Sequence, residues 1–286
     1  MRFWNAFGYI DPRQATAVAR ASEEAGYFGI ALPDHLVYPQ TLASPYPYSA
    51  DGSLPFPPQT PWPDVFCEIS AMAAVTTKLH FTTGVYVAPA RPLHVVAHQV
   101  ATASVLSSNR VSLGVGVGWM QEEYSINGQD FHNRGRRLDE MIAALRALWK
   151  PGWVQFDGEF YTVPPIHLTP EIDDVIPIYV GGESEAAKRR IATLGDGWIL
   201  AGPMPVDAVA ERLRDMRERV AAAGRSFDDL RIIAMALEPW NLDHYRALES
   251  LGVGDVIAVP WTDPSTSAAD KAAAIARFGD DVIAAY

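Results

Sequence analysis

Hydrophobic positions along the chain follow two alternating patterns. Short runs rich in β-branched and aromatic residues have the length of strands, and each is followed by a longer segment with apolar residues at three- and four-residue spacing, typical of an amphipathic helix. Eight such pairs fill the chain. The predicted strands are 3–7, 28–32, 79–87, 111–117, 176–180, 197–201, 231–237 and 255–259. The predicted helices are 12–25, 64–76, 93–106, 134–149, 185–194, 206–223, 243–250 and 265–285.

This repetition of strand and helix indicates an α/β protein with a parallel sheet. The length of 286 residues would also fit two domains of about 150 residues each. No break in composition divides the repeats into halves, however, and a closed (β/α)8 TIM barrel requires eight of them. We therefore predict a single barrel domain over residues 1–286.

Two stretches interrupt the repeats. Residues 37–63, after the second predicted strand, contain eight of the 22 prolines and several aromatic residues. We expect this long loop to lie at the carboxyl end of the barrel and to roof a pocket, the alternative being a disordered linker. Before the fifth strand, runs 153–156 and 159–163 flank Asp157-Gly158, which predicts a hairpin with a two-residue turn.

Composition excludes several classes of function. Hydrophobic residues make up 49% and charged residues 20%, as in globular proteins. A net charge of −11 repels phosphate backbones and anionic lipids, so we expect neither a nucleic-acid nor a membrane partner. Cys67 is the single cysteine, which excludes an intrachain disulfide and a CxxC pair. No signal-like segment opens the chain and no run of about 18 apolar residues occurs, so a cytoplasmic location is expected.

Candidate catalytic residues follow the second predicted strand. All strands of a parallel barrel point their carboxyl ends at one face, and barrel active sites lie there. Asp34 and His35 come directly after strand 28–32. An imidazole exchanges a proton near neutral pH, so His35 is a candidate acid or base, although a structural role is also open.

Glycines mark two further strand ends. Gly114, Gly116 and Gly118 alternate along one strand, which serves either a cofactor surface or tight packing. Gly181 and Gly182 precede Ser184 and a predicted helix, where free N–H groups bind phosphate, unless Ser184 only caps the helix.

Several common motifs are missing from the sequence. The glycine spacing differs from the dinucleotide fingerprint, and neither a P-loop nor a G-x-S-x-G elbow is present. His94 and His98 are four residues apart on a predicted helix, but no Glu follows His94 as in the HExxH pattern. We therefore predict no metal site.

Five segments, taken in order, resemble the luciferase-like monooxygenase superfamily and in particular its branch that uses the deazaflavin coenzyme F420. The resemblance spans nearly the whole chain. The segments are EEAGYFGIALPDHL (23–36), FTTGVYVAPARPL (81–93), SSNRVSLGVGVGWMQEEY (107–124), NRGRRLDEMIAALRALW (133–149) and PIYVGGESEAAKRRIATLGDGWI (177–199).

The resemblance implies a (β/α)8 barrel in which the deazaflavin ring lies over a bulge in the third strand. It implies a non-prolyl cis peptide bond in that bulge, at Gly84-Val85, and a proton-transferring role for His35 with Asp34 beside it. The residues that it assigns to the cofactor are Asp34, His35, Gly84, Val85, Gly116, Val117, Gly118, Gly181, Gly182 and Ser184.

One departure bears on the substrate. Family glucose-6-phosphate dehydrogenases carry a catalytic Glu just after the strand-four glycine, where this chain has Trp119. A sugar phosphate is therefore not expected, and the predicted substrate pocket is aromatic. Its residues are Trp4, Tyr46, Trp119 and Trp240.

These features lead to the hypothesis of an F420-dependent oxidoreductase. It would transfer a hydride between C5 of the deazaflavin and a small, mostly apolar carbonyl, alcohol or activated alkene. One alternative is an FMN-dependent monooxygenase on the same barrel, and another is a non-catalytic deazaflavin-binding protein. A homodimer is expected, because barrels of this family often dimerise.

Overall fold

The strands of the computed structural model close into a parallel barrel, which confirms the predicted (β/α)8 architecture. The structure describes residues 1–49, 51–236, 241–261 and 263–286. Within these ranges, eight strands pair in the order β1-β10-β9-β8-β7-β4-β3-β2, and β2 pairs with β1 to close the ring. They are β1 Arg2–Ala6, β2 Gly29–Leu32, β3 His80–Thr83, β4 Val111–Val115, β7 Ile178–Gly181, β8 Gly197–Pro203, β9 Arg231–Ala236 and β10 Asp255–Ala258. The separate hairpin pairs β5 Trp153–Asp157 with β6 Thr162–His167.

Helices surround the barrel and bury their apolar faces against it. Among the residues described, no helix is both long and apolar enough to cross a membrane. The helices are α1 Ala15–Glu24, α2 Val65–Ala73, α3 Leu93–Leu106, α4 Gln121–Ile126, α5 Arg134–Leu148, α6 Glu185–Leu194, α7 Val206–Ala222, α8 Leu242–Ser250 and α9 Ala268–Phe278. The short helix α4 was not predicted from the sequence.

The barrel interior has its own apolar core, to which Trp4 belongs. Its buried residues are Trp4, Ala31, Tyr179, Ile199, Ile233 and Ile257. The Trp4 side chain packs against Gly29, the first residue of β2, and its Nε1–H donates to Asp255, the first residue of β10, at 2.7 Å. Trp4 is 1% exposed. The prediction that Trp4 lines the substrate pocket is therefore wrong, because its indole points to the amino end of the barrel. The opposite, carboxyl end of the barrel is called the mouth below.

One predicted strand boundary differs from the structure, and another cannot be compared with it. The third strand ends at Thr83 and not at residue 87, and a cis peptide bond joins Gly84 and Val85 directly after it. The cis bond is the one that the resemblance implied. Residue 237, the last of the seventh predicted strand, lies outside the described residues.

The hairpin has a wider turn than predicted. Residues 158–161 connect β5 and β6, and the N–H of Gly158 donates to the carbonyl of Tyr161 at 2.9 Å. The Glu140 carboxylate on α5 accepts the N–H groups of Glu159, Phe160 and Tyr161 at 2.8 to 2.9 Å. These three bonds hold the turn open against α5, so the predicted two-residue turn at Asp157-Gly158 is wrong.

Candidate active site

Asp34 follows β2 and is buried against a single arginine. Its two carboxylate oxygens accept from the Arg91 guanidinium at 2.7 and 2.8 Å, and one of them also accepts from the N–H of Val87 at 3.0 Å. Burial raises the pKa of Asp34, while Arg91 and the Val87 N–H oppose that rise. Burial likewise disfavours the charged form of Arg91, but the facing Asp34 carboxylate favours that form, and the pKa of Arg91 is raised. The bidentate geometry keeps the pair ionic.

These contacts change the interpretation of Asp34. Arg91 and Val87 both lie on the segment that follows the bulge at Gly84-Val85, so Asp34 ties the end of β2 to that segment. A carboxylate held in a bidentate ion pair is poorly placed to exchange a proton. We therefore expect Asp34 to position the bulge and His35 to exchange the proton, and the contact of Asp34 with the cofactor stays a prediction.

His35 is held by a buried glutamate that the sequence analysis missed. Its Nδ1 lies 3.0 Å from Oε1 of Glu123, and the same oxygen accepts the N–H of Leu36 at 2.7 Å. The Glu123 side chain is 1% exposed and that of His35 is 12% exposed. A carboxylate accepts hydrogen bonds, so Nδ1 carries the proton and its N–H donates a hydrogen bond to Glu123. Nε2 then has no partner in the described part of the chain and is the nitrogen that can exchange a proton.

Four aromatic side chains form what we name the mouth cluster: Tyr46, Phe56, Trp62 and Trp119. The ring centroid of His35 lies 5.6 Å from Phe56, 4.7 Å from Trp62 and 5.8 Å from Trp119. Tyr46 packs edge-on against Trp119 at 5.3 Å. The structure thus brings two of the predicted pocket residues, Tyr46 and Trp119, to His35. The fourth predicted pocket residue, Trp240, lies outside the described residues.

The long loop that carries three of these rings is attached to α4 by Glu122. One oxygen of Glu122 accepts the N–H groups of Ala43 at 2.7 Å and Ser44 at 3.3 Å, and the other accepts the Ser44 hydroxyl at 2.9 Å. Burial opposes ionisation, but these donors lower the pKa of Glu122. Ser44 Oγ in turn accepts the N–H of Gln121 at 3.0 Å. Two consecutive glutamates of α4 therefore hold the loop and His35 in place.

The predicted glycines make room for the side chains of the bulge. A Cβ on Gly116 would lie 2.5 Å from a Val85 methyl group, and one on Gly181 would lie 2.7 Å from the other methyl. Gly118, at a φ of +65°, faces Val87 in the same way at 2.7 Å. Larger residues at these positions would displace the bulge. At Gly84 itself a Cβ would meet only Ala31, at 3.9 Å, and Gly84 and Val85 are both partly exposed.

The amino end of α6 carries the other predicted cofactor residues. Ser184 caps the helix, since its Oγ accepts the N–H of Ala187 at 3.2 Å. Its hydroxyl therefore has the structural role that the sequence left open. The remaining N–H groups of the first helical turn have no partner within the helix and favour an anion.

Arg134, at the start of α5, packs on Phe131, which in turn packs against Tyr124 close to Val117. Its guanidinium stacks over Phe131 at 3.7 Å and donates to the Phe131 carbonyl at 2.9 Å. Tyr124 packs on Phe131 and donates its hydroxyl to the Val117 carbonyl at 2.5 Å. Arg134 forms no ion pair with a described residue, and its Nε is buried without a partner there. Its positive charge is therefore not neutralised by a described carboxylate.

Comparison with known proteins places these features in context. The family model described as luciferase-like monooxygenase matches residues 5–275. An uncharacterized protein of Mycobacterium tuberculosis is 37% identical over 291 residues, with 99% of each chain covered. The F420-dependent glucose-6-phosphate dehydrogenase of Beutenbergia cavernae is 29% identical over 244 residues, covering 84% of this chain and 68% of that enzyme.

A solved structure has the same fold. An F420-dependent secondary alcohol dehydrogenase, in complex with an F420–acetone adduct, superposes with a TM-score of 0.77 at 14% identity. The superposition covers 100% of this chain and 99% of that one.

Proposed function

Because the chain belongs to the luciferase-like monooxygenase family, we propose that it is an F420-dependent oxidoreductase acting on a small, mostly apolar carbonyl, alcohol or activated alkene. The observation that carries the proposal is the pairing of His35 with the buried Glu123 inside the mouth cluster. The F420-dependent names of the Beutenbergia cavernae relative and of the structural neighbour support the choice of cofactor.

The residues at the mouth fit coenzyme F420. The open side of the backbone at Gly84 and Val85 can receive a flat deazaflavin ring. The phosphate and acidic tail of the cofactor need positive potential, although the protein as a whole is acidic. The N–H groups at the start of α6 and the unpaired Arg134 supply that potential locally. The residues that would hold the cofactor by backbone or side chain are Asp34, His35, Gly84, Val85, Gly116, Val117, Gly118, Gly181, Gly182 and Ser184.

His35 balances the proton in the proposed reaction. Coenzyme F420, when bound, accepts or supplies a hydride at C5 of its deazaflavin. When an alcohol is oxidised, Nε2 of His35 takes the hydroxyl proton as the hydride leaves the adjacent carbon. The other ring nitrogen, Nδ1, keeps its proton and its hydrogen bond to Glu123, whose carboxylate stabilises the imidazolium that forms. In the reverse direction the imidazolium returns the proton to the carbonyl oxygen.

The mouth cluster selects the substrate class. Trp119, Trp62 and Phe56 surround His35 with apolar surface, so a small apolar substrate gains contact area there. A phosphorylated sugar would place a dianion against these rings, which disfavours it. The same rings exclude water from the proton-transferring nitrogen of His35.

A cofactor panel with turnover tests the proposed function. Purified protein is mixed with F420 and a set of secondary alcohols, or with reduced F420 and the matching ketones, aldehydes and activated alkenes. We expect loss or recovery of deazaflavin absorbance with at least one substrate of this class, without oxygen consumption. Oxygen-dependent turnover with reduced FMN alone would support the FMN-dependent monooxygenase instead. Tight F420 binding without turnover on the whole panel would support a non-catalytic binding protein.

We also propose that the protein is a homodimer that associates through α2 and α3. These two helices pack side by side, and their outward residues carry no acidic or basic side chain other than histidine. Glu68, the one charged residue in either helix, is buried. A second copy of this face would cover the apolar surface without burying charge. The exposed residues of the face are Cys67, Ala71, His94, Val95, His98, Val105 and Leu106.

Leu106→Glu is expected to convert the dimer to a monomer. Leu106 is 60% exposed on this face, and a carboxylate there would be desolvated in the dimer. Sedimentation velocity at micromolar concentration measures the change. Val175→Glu is the control, because Val175 is 81% exposed and belongs to neither helix. A monomeric wild type, or a dimer that persists in Leu106→Glu, would contradict this interface.

A further inference from the structure

Two residues that each carry an unpartnered buried polar atom line one small cavity beneath the long loop. The cavity lies between the segment after β1, Pro33, residues 61–63 of the loop and α2. Glu68 and Trp62 both line it. Glu68 Oε1 and Trp62 Nε1 are each buried, and neither has a hydrogen-bond partner in the ranges that the structure describes. Such orphaned groups are costly, so two of them on residues that line the same cavity point to a bound molecule.

The size and the chemistry of the cavity fit one water molecule. Its volume is about 10 Å³, close to the space that a single water requires. The indole N–H of Trp62 is only a donor, and the Glu68 carboxylate is only an acceptor when ionised. A water molecule between them accepts from the indole and donates to the carboxylate, which satisfies both buried atoms.

Trp62 connects this cavity to His35. Its ring packs edge-on against His35 with centroids 4.7 Å apart, and it also contacts Phe56 at 5.0 Å and Tyr9 at 5.4 Å. One side of the indole thus forms the wall of the mouth, while its residue lines the cavity on the other side. Whatever fixes the indole N–H also fixes the ring that packs on His35.

We propose that a single internal water molecule bridges Glu68 and Trp62, and that Glu68 is thereby a positioning residue that holds the Trp62 ring against His35. The proposal is independent of the identity of the cofactor and of the substrate. It extends the set of residues that shape the mouth to α2, a helix that carries none of the predicted site residues.

The bridge depends on the protonation of Glu68. Burial, and to a smaller extent Asp64 at the start of α2, raise the pKa of Glu68 to about 7. Below that pH the carboxyl is neutral, so the negative charge beside the water is lost and the electric field at the indole N–H changes. The other titratable groups around this assembly are Tyr9, which lines the cavity, and His35 with Glu123 behind it on the far side of Trp62.

The indole N–H resonance of Trp62 provides a direct test. In protein labelled with ¹⁵N-tryptophan, Trp62→Phe identifies the resonance by its loss. We expect this resonance to shift with a midpoint near pH 7 in the wild type, to stay constant in Glu68→Gln, and to keep its titration in His35→Gln. Glutamine keeps the shape of Glu68 and does not titrate, and His35→Gln removes the other titratable group that packs on the indole.

Three results would overturn the proposal. A wild-type Trp62 resonance that is constant from pH 4 to pH 9 shows that no carboxylate acts on the indole N–H, which excludes the bridge without any Glu68 variant. A titration that persists unchanged in Glu68→Gln assigns it to another group. A titration that disappears in His35→Gln assigns it to His35.

Stability provides a second readout with a defined sign. The folded pKa of Glu68 lies above the ordinary value of 4.5, so the protonated form is favoured in the folded protein. That contribution is present below about pH 4.5 and is lost as the pH rises through about 7. The wild type is therefore expected to lose stability relative to Glu68→Gln over this interval in urea unfolding. A constant difference across the interval would contradict the raised pKa of Glu68 and the assignment of the Trp62 titration to this carboxyl.

Discussion

His35→Ala is expected to lower turnover about 10²–10⁴-fold, the usual contribution of a positioned acid or base. The substrate affinity and the cofactor affinity should change much less, because the mouth cluster and the backbone of the bulge remain. The physical reason is the arrangement around the imidazole: Glu123 holds Nδ1–H, and Nε2 is left for the substrate. Single-turnover rates with F420 and an accepted alcohol or ketone, at saturating concentrations of both, measure the loss.

Two further variants separate proton transfer from packing. His35→Asn keeps a donor toward Glu123 but cannot exchange a proton, so its rate should fall as far as that of His35→Ala. Glu123→Gln keeps the shape behind His35 and removes the charge that stabilises the imidazolium, so a smaller loss in rate is expected, with little change in cofactor affinity. Turnover by His35→Ala within a few-fold of the wild type would remove His35 from the reaction.

Arg91→Leu is expected to lower the free energy of unfolding by about 3–5 kcal/mol, the usual cost of breaking a buried ion pair from one side. The cause is Asp34, whose carboxylate is nearly inaccessible and loses both guanidinium hydrogen bonds. Urea unfolding followed by circular dichroism measures the change. The bulge at Gly84-Val85 should also lose definition, because Arg91 and Val87 are held by the same carboxylate.

Controls assign the loss to the stranded charge. Adding Asp34→Asn to Arg91→Leu removes the unpaired carboxylate and should recover part of the stability, which a double-mutant cycle quantifies. Arg13→Leu is the matched surface control, because Arg13 pairs with Asp11 in solvent and its loss should leave stability nearly unchanged. An Arg91→Leu protein as stable as the wild type would show that Asp34 needs no cation.

The barrel was predictable because a strand pattern followed by a helix pattern repeats eight times along the chain. An error of a few residues at one boundary does not change this count, so the closed sheet is predicted even though β3 is shorter than expected. Trp4 shows the limit of this reasoning. The pattern places Trp4 on a strand, but only the neighbours Gly29 and Asp255, distant in sequence, determine that its indole fills the amino end of the barrel.

The partners of the candidate site were less predictable for the same reason. His35 and Asp34 follow a strand and are found from position alone, whereas Glu123 and Arg91 acquire their roles through contacts with residues 88 and 57 positions away. The pair Glu122-Glu123 directly after the strand-four glycines was an available signal. Two adjacent carboxylates at the mouth of an acidic protein needed partners, and they bind the long loop and His35.

Titration of the purified protein with F420 and, separately, with FMN tests the central claim most directly. Equilibrium binding is followed by the fluorescence of each cofactor, at low and at high salt. We expect micromolar or tighter binding of F420 that weakens as salt screens the anionic tail, and FMN binding at least about tenfold weaker. Micromolar binding of FMN with no measurable binding of F420 would contradict it.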